Sequence, residues 1–338
     1  MGRKLIADQK YFFFLLIWLV AVLAVGCSAM TVPVVVTHPA EFNLRGKNEI
    51  VIGEFKGPHA AEIVSRVKQH IAQCNTIQLI DRSHLAHTMK ELKLSQSDLV
   101  DPQKRRKLGR LLTGSLLIMG EVLEYGYDEN VIREVQTCYK DKKKYSCLRY
   151  TRSGSARVSV SFDLIDIETG EVLAPKVTNC RRKRVTTRID GTPAHIDHRS
   201  LLAQCSNQVA GEFAHMIVPW QETVRTVFYK DKNLPMLETG VQYARIGDWD
   251  KAIDMFTQAI EYAAGHEKVK PKTEAKARWD LGLAYKFTQR FDEAIEQVTK
   301  AFELSGDGDY LAEIRNIEQA RKEYHRLKQQ QSPSTTHP

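Results

Sequence analysis

The chain lacks the local signatures that most catalytic chemistry needs. Its 338 residues hold no glycine-rich phosphate loop, no nucleophile elbow and no carboxylate pair in a recognisable setting. Its six cysteines include no C-x-x-C pair, which excludes the usual zinc and dithiol redox spacings. His195-Ile196-Asp197-His198 brings ligand types together, but no further cluster with suitable spacing accompanies it. It stands in a Gly-Pro loop before a helical pattern, where Asp197 or Ser200 serves as a helix cap. No enzyme, no cofactor and no metal are therefore expected. An excess of acid is also missing: the formal net charge is +8. Such a balance suits nucleic acid or anionic surfaces.

Long apolar runs are scarce too, and the one present, Tyr11 to Val25, is informative. Arg3, Lys4 and Lys10 precede or open it, and Leu23-Ala24-Val25-Gly26-Cys27-Ser28 follows. A basic start, an apolar stretch of about 15 residues and small residues before a cut describe a secretory signal. The cysteine directly after them makes the segment similar to a bacterial lipoprotein signal, with Cys27 as the lipidated first residue. The lipobox departs from the usual pattern, with Ala24 three places before Cys27 and Leu23 one place earlier. Ser28, where inner-membrane lipoproteins carry Asp, favours the outer membrane, lipid-anchored on the periplasmic face. The alternative is an uncleaved anchor, for which the run falls short of the roughly 20 residues a spanning helix needs. From Cys27 onward the charge is +6, since residues 1–26 hold Arg3, Lys4, Lys10 and Asp8. Export argues against nucleic acid, leaving anionic lipid, cell-wall polymer or an acidic protein as the matching partner.

Residues 27–47 show no helical period and read as a tether with extended character from Thr31 to Thr37. Residues 48–230 read as an α/β (α+β) domain. Glu49 to Phe55 is a compact apolar strand, and Ile63, Val67 and Ile71 share one helix face. Thr76 to Ile80 is a second strand. Two further helices follow, one around Leu85, Met89 and Leu92, one opening at Asp101-Pro102. Ser115 to Leu123 is a third strand. Ala156, Val158, Val160, Phe162 and Leu164 alternate with polar residues, as in a strand with one buried face. Glu168 to Glu171 turns the chain into a partner strand, and Leu201, Cys205, Val209, Phe213 and Met216 mark another helix. Thr223 to Tyr229 reads as a last strand.

After Asn233 the pattern is all-α and repeats itself. Gly240, Tyr243, Gly247, Ala252, Phe256 and Ala259 recur 42 residues later as Gly282, Tyr285, Gln289, Ala294, Val298 and Ala301. Small, aromatic and small residues at these offsets match the tetratricopeptide pattern of packed helical hairpins. The usual period is about 34 residues, so the surplus is expected near Ala264 to Lys272. The repeats with a capping helix span 234–328, the cap being roughly Tyr310 to Lys328, and 329–338 reads as a disordered tail.

With Cys27 set aside for lipidation, five cysteines remain for an oxidising compartment. Cys138 and Cys147 flank a polar hairpin tip and are the first disulfide candidates; Cys180 and Cys205 are the second. Cys74 reads as a buried thiol. Lys104-Arg105-Arg106-Lys107 reads as a solvated helix face. Arg181-Arg182-Lys183-Arg184 on a strand must place two charges on each face, so it is a candidate basic contact surface at an edge.

The first domain resembles the CsgG-like family of outer-membrane lipoproteins, related to the curli secretion channel. The resemblance rests on Ile50 to Phe55, Leu79 to Leu85, Leu99 to Pro102, Lys107 to Leu112, Ile118 to Val122 and Asp166 to Leu173, in the family's order. It covers about residues 48–220 and implies a non-catalytic role in curli-type assembly or secretion. The same fold occurs in lipoprotein activators of penicillin-binding proteins. The curli channel inserts its membrane hairpins where this chain has Tyr127–Arg157 and Ala174–His198, yet those segments carry Lys140 to Lys144 and Arg181 to Arg184. The expected function is thus a scaffold or assembly factor that binds a partner protein through its repeats, with homo-oligomerisation left open. A CsgG-like secretion pore and an activator of cell-wall synthesis enzymes are the alternatives.

Overall fold

The computed structural model describes residues 29–44, 47, 49–74, 77–80 and 115–331. Cys27, the expected helices around Leu85 and from Asp101, and Lys104 to Lys107 lie outside the described residues. Two compact units divide the chain: residues 39–220 with 327–331, and residues 29–38 with 221–326. The first strand, β1 (Ala29–His38), belongs to the second unit.

The first unit is a mixed α/β layer. Its described strands are β2 (Glu49–Lys56), β3 (Gln78–Ile80), β4 (Ser115–Lys140), β5 (Lys143–Asp166) and β6 (Val172–Ile189), in the order β3-β2-β4-β5-β6. β2 is parallel to β3 and β4, and β4, β5 and β6 are antiparallel. Helices α1 (Ala60–Ala72) and α2 (His198–Ile217) supply apolar stripes to the sheet. Ile63, Val67 and Ile71 from α1 meet Cys205, Val209 and Phe213 from α2 over Ile118, Val158, Val160 and Phe162. Phe162 stacks on Phe213 at 4.2 Å between centroids. Burying each such aromatic contributes roughly 1.5–3 kcal/mol.

The long strands differ from the expected short ones. β4 has 26 residues and β5 has 24, paired without a break from Leu116–Asp166 to Lys140–Lys143 except at one bulge. That bulge leaves Leu123 unpaired and exposed between Val122 and Glu124. A β-bulge bends a strand and raises its twist. Past it the strands form a ribbon with charge on both faces. The ladder itself holds them extended, helped by Val131, Ile132, Tyr150 and Thr151, residue types that suit strands. At the other end Asp166 caps the turn, its Oδ1 accepting from the backbone N–H of Glu168 at 2.9 Å and of Thr169 at 3.2 Å.

The second unit is mostly helical, as the repeat implied: α3 (Met236–Arg245), α4 (Trp249–Ala264), α5 (Pro271–Phe287), α6 (Phe291–Ser305) and α7 (Gly308–Gln331), whose last five residues belong to the first unit. Two findings correct the sequence reading. The segment read as a tether holds β1, and Thr223 to Tyr229 does not extend the α/β sheet. It lies in β7 (Trp220–Tyr229), which pairs with β1 in a separate two-stranded sheet. The physical reason is burial: Val32 and Val34 of β1 and Phe228 of β7 share one core with Leu237, Val241, Phe256 and Leu281. Pro33, which lacks an N–H, points away from that core as an exposed residue, as edge strands allow. Helix α7 also runs on to Gln331, into the segment read as tail, with Gln330 Nε2 donating to the Ala40 carbonyl at 2.9 Å.

Candidate functional site

The basic run lies on β6, which with β3 is one of the two outer strands of the sheet among the described residues. Its 18 residues contain Lys176, Arg181, Arg182, Lys183, Arg184 and Arg188 and no Asp or Glu. Pairing with β5 fixes the directions. Arg181 and Lys183 lie opposite Arg157 and Ser155, on the face away from the helices; Arg182 and Arg184 lie opposite Ala156 and Gly154, on the helix face. All four are exposed. Arg181 Nε donates to Ser155 Oγ at 3.4 Å, and Arg182 Nη2 donates to Gln208 Oε1 at 3.1 Å. Among the described residues none of the four has a carboxylate partner.

Nearer the sheet, part of the ribbon's charge is paired. Arg157 of β5 pairs with Glu124 at 2.6 Å and with Asp128, and Arg152 pairs with Glu129. Tyr127 donates to Glu129 at 2.7 Å, and burial followed by that bond pushes its phenol up to about 12. Glu124, Asp128 and Glu129 of β4 are therefore matched by β5, while among the described residues the cations of β6 have no ion pair. Beside them Arg66, Arg182, Ser200, Gln204, Asn207 and Gln208 line an open depression of about 400 Å³.

Both candidate disulfide pairs are bonded. Cys138 and Cys147 stand 5.9 Å apart at Cα, diagonally across the ribbon near its tip. Cys180 and Cys205 stand 5.2 Å apart and join β6 to α2 beneath the basic run. Cys74 lies outside both bridges and is half-buried beside the core. Asp197 caps α2, its Oδ1 accepting from Ser200 N at 3.1 Å. Among the described residues no group of three or more His, Cys, Asp or Glu could hold a metal.

In the helical unit the repeat positions meet. A Cβ on Gly240 would lie 2.4 Å from the Phe256 ring, and one on Gly282 2.6 Å from Val298, so each glycine permits close packing of a helix pair. Ala252, Ala259, Ala294 and Ala301 are fully buried. Tyr243 and Tyr285 each lie under a cation, Lys251 at 5.4 Å and Arg290 at 4.2 Å. The surplus residues form a short loop and lengthen α5, which has 17 residues against 10 in α3.

Sequence reasoning missed what covers α5. Trp279 Nε1 donates to the Val227 carbonyl at 3.0 Å, Tyr229 N donates to Asp280 Oδ1 at 2.8 Å, and Lys276 pairs with Asp231 at 2.8 Å. The chain's own strand β7 therefore occupies this helix face. Asp280 is fully buried, and its Oδ2 has no partner among the described residues. Burial pushes its carboxyl well above the usual range, against the Tyr229 N–H and Lys276. Only the helical offset of Asp280 from the buried Ala277 and Ala284 signals that it faces inward.

The geometry can be set beside known proteins. No curated protein matches the chain. Among solved structures it is similar to lipoprotein GNA1162 from Neisseria meningitidis, at 12% identity over 40% of this chain and 81% of that one, with a TM-score of 0.27. It is similar to the PelC dodecamer from Paraburkholderia phytofirmans, at 14% identity over 55% and 98%, with a TM-score of 0.26. The LpoB C-terminal domain from Salmonella enterica gives 11% identity over 40% and 84%, with a TM-score of 0.26. Overlaps this loose carry no argument about function. The sequence model of one family, described as curli production assembly/transport component CsgG, matches residues 61–198, less than half of the chain. That segment runs from α1 through β6 to the start of α2, the whole of the ribbon included, and over it the chain is similar to the CsgG family.

Proposed function

We propose that this chain is a non-catalytic assembly factor of the bacterial envelope, serving secretion or assembly of a surface structure. It would be a lipoprotein held through Cys27 on the periplasmic face of the outer membrane. The observation that carries the reading is a CsgG-like domain in which an outer strand, β6, is basic and, among the described residues, without an ion pair. Among the described residues no helix is long and apolar enough to cross a membrane. An extended acidic segment of a partner protein suits β6, since a strand edge offers main-chain hydrogen bonds and its arginines offer bidentate charge pairing. The tetratricopeptide-type hairpins supply a second protein contact. With β7 over α5, that contact falls on surface left open, such as Ile246, 75% exposed in the turn after α3.

The test is capture of crosslinked partners from envelopes carrying the full chain. Arg181→Glu combined with Lys183→Glu is expected to lose the partner that wild type captures, and Ile246→Glu to lose a different one. Identical capture by all three chains would remove the proposed contacts. Cys27→Ser should leave the membrane fraction, and its retention there would remove the lipid anchor.

A ring-shaped secretion pore is the second reading, favoured by the length of β4 and β5 in a CsgG-like domain. Membrane strands need about 9–11 residues with an apolar outward face. Here both ribbon faces carry charge: Arg133, Arg152 and Arg188 on one, Glu134, Arg149 and Lys183 on the other. Each Lys or Arg turned to lipid at mid-membrane costs about 2–4 kcal/mol. Ring particles with barrel-type spectra from extracted membranes would establish the pore and overturn the scaffold.

A further inference from the structure

The ribbon tip does not take part in the contacts above. Beyond the row Glu134–Arg149–Ile189 only β4 and β5 continue, through the six residues Val135 to Lys140 and back. At about 3.3 Å per residue this carries the tip roughly 20 Å past the three-stranded part. Asp141 and Lys142 form a two-residue turn with φ of 50° and 63°. Positive φ at both central residues matches the tight turn that suits strand twist. The Cys138–Cys147 bridge closes the segment from behind.

Within this loop stand Lys140, Lys142, Lys143 and Lys144 against Asp141, a net +3 over ten residues. All five are exposed, and among the described residues none of the lysines pairs with a carboxylate. Tyr139 is 66% and Tyr145 43% exposed. The register puts them on opposite faces, Tyr139 beside Lys144 and Tyr145 beside Cys138. A flat protein partner reads one face of a hairpin. This tip shows tyrosine and lysine on both, which suits a medium that surrounds it.

We propose that this disulfide-locked tip is a peripheral docking element for an anionic lipid surface, separate from the acyl chains at Cys27. Tyrosine rings settle at headgroup depth, and lysine stems reach from there to phosphate. The turn and the bridge fix the loop beforehand, so little freedom is lost on binding. Arg133, Glu134, Arg149 and Arg188 ring the ribbon behind the tip, so contact stops at the headgroups.

The test is sedimentation of the chain from residue 27 onward, bearing Cys27→Ser, with vesicles of phosphatidylcholine alone or with one quarter phosphatidylglycerol. Binding is expected only to the anionic vesicles and should weaken with salt. Each lysine near such a surface strengthens binding about fivefold, so Lys140→Ala, Lys142→Ala, Lys143→Ala and Lys144→Ala combined should weaken it at least a hundredfold. Arginine at the same four positions should restore it, which separates charge from folding. Tyr139→Ser with Tyr145→Ser should weaken binding without changing its salt dependence. Equal binding to neutral vesicles, or an alanine variant that binds as wild type does, overturns the proposal. So does binding to cell-wall sacculi or an acidic protein with no binding to anionic vesicles.

Discussion

The two helical hairpins occupy matching offsets in the chain, yet they solve the same packing problem with different residues. In the first, Gly240 in α3 makes room for the large Phe256 ring of α4; in the second, Gly282 in α5 meets the smaller Val298 of α6. The first hairpin turns on Gly247, at φ 78°, while the second turns on Gln289, at φ 66°. Glu238 of α3 is exposed, and its counterpart Asp280 of α5 is fully buried under β7. The first copy thus keeps the residues that the local geometry favours, and the second departs from them. The departures are steadied from outside the hairpin: β7 hands an N–H to Asp280, and Trp279 donates to β7 in return.

The sharpest way to break this comparison is at the aromatic. Phe256→Ala should destabilise the helical unit by about 3–5 kcal/mol, and Val298→Ala by clearly less. Denaturant unfolding followed by tryptophan fluorescence measures both, and equal losses would show that the two pairs bear equal weight. The next effect depends on pH. In the folded chain Asp280 keeps its proton above the ordinary carboxylate range; in the unfolded chain it releases it near pH 3.9. The folded state then binds more protons, so stability is fully present below the unfolded value and falls as pH rises towards the raised folded value. The slope is at most about 1.4 kcal/mol per pH unit. Asp280→Asn should remove it and be the more stable chain at neutral pH, whereas Glu238→Gln should leave the pH profile unchanged. Thermal melts from pH 4 to 8 decide this, and a wild-type profile without the slope would refute the buried proton. The smallest effect is at the turns. A side chain in the left-handed region costs about 1 kcal/mol, so Gln289→Gly should stabilise by up to that amount, and Gly247→Gln should destabilise to match.

How much was legible follows the same division between local and distant partners. The Cys138–Cys147 bridge and its tip could be read because a polar turn lies between two nearby cysteines. The hairpin positions could be read because close packing demands small residues at fixed offsets. The buried face of β5 followed from the alternation of Ala156 to Leu164. The extended character of Thr31 to Thr37 could be read, but its pairing could not, since the partner strand β7 lies beyond the whole α/β unit in sequence. The ribbon was hidden by charge: Arg149, Arg152 and Arg157 break the apolar alternation, and only the register shows Glu129 and Glu124 waiting across the ladder. Arg66 joins Arg182 at the open depression only through the packing of α1 beside α2. The burial of Asp280 depended on β7, which no local pattern places there.

The pairing of β1 with β7 also orders events in time. β1 is synthesised before β7, which follows only after the α/β unit has been made. Until then Val32 and Val34 have no core to enter, and a strand with open edges invites wrong pairing. Contacts that span so much chain form slowly. The residues of β1 are therefore among the last to find their place, and a chaperone that holds this segment would govern the yield of the folded chain.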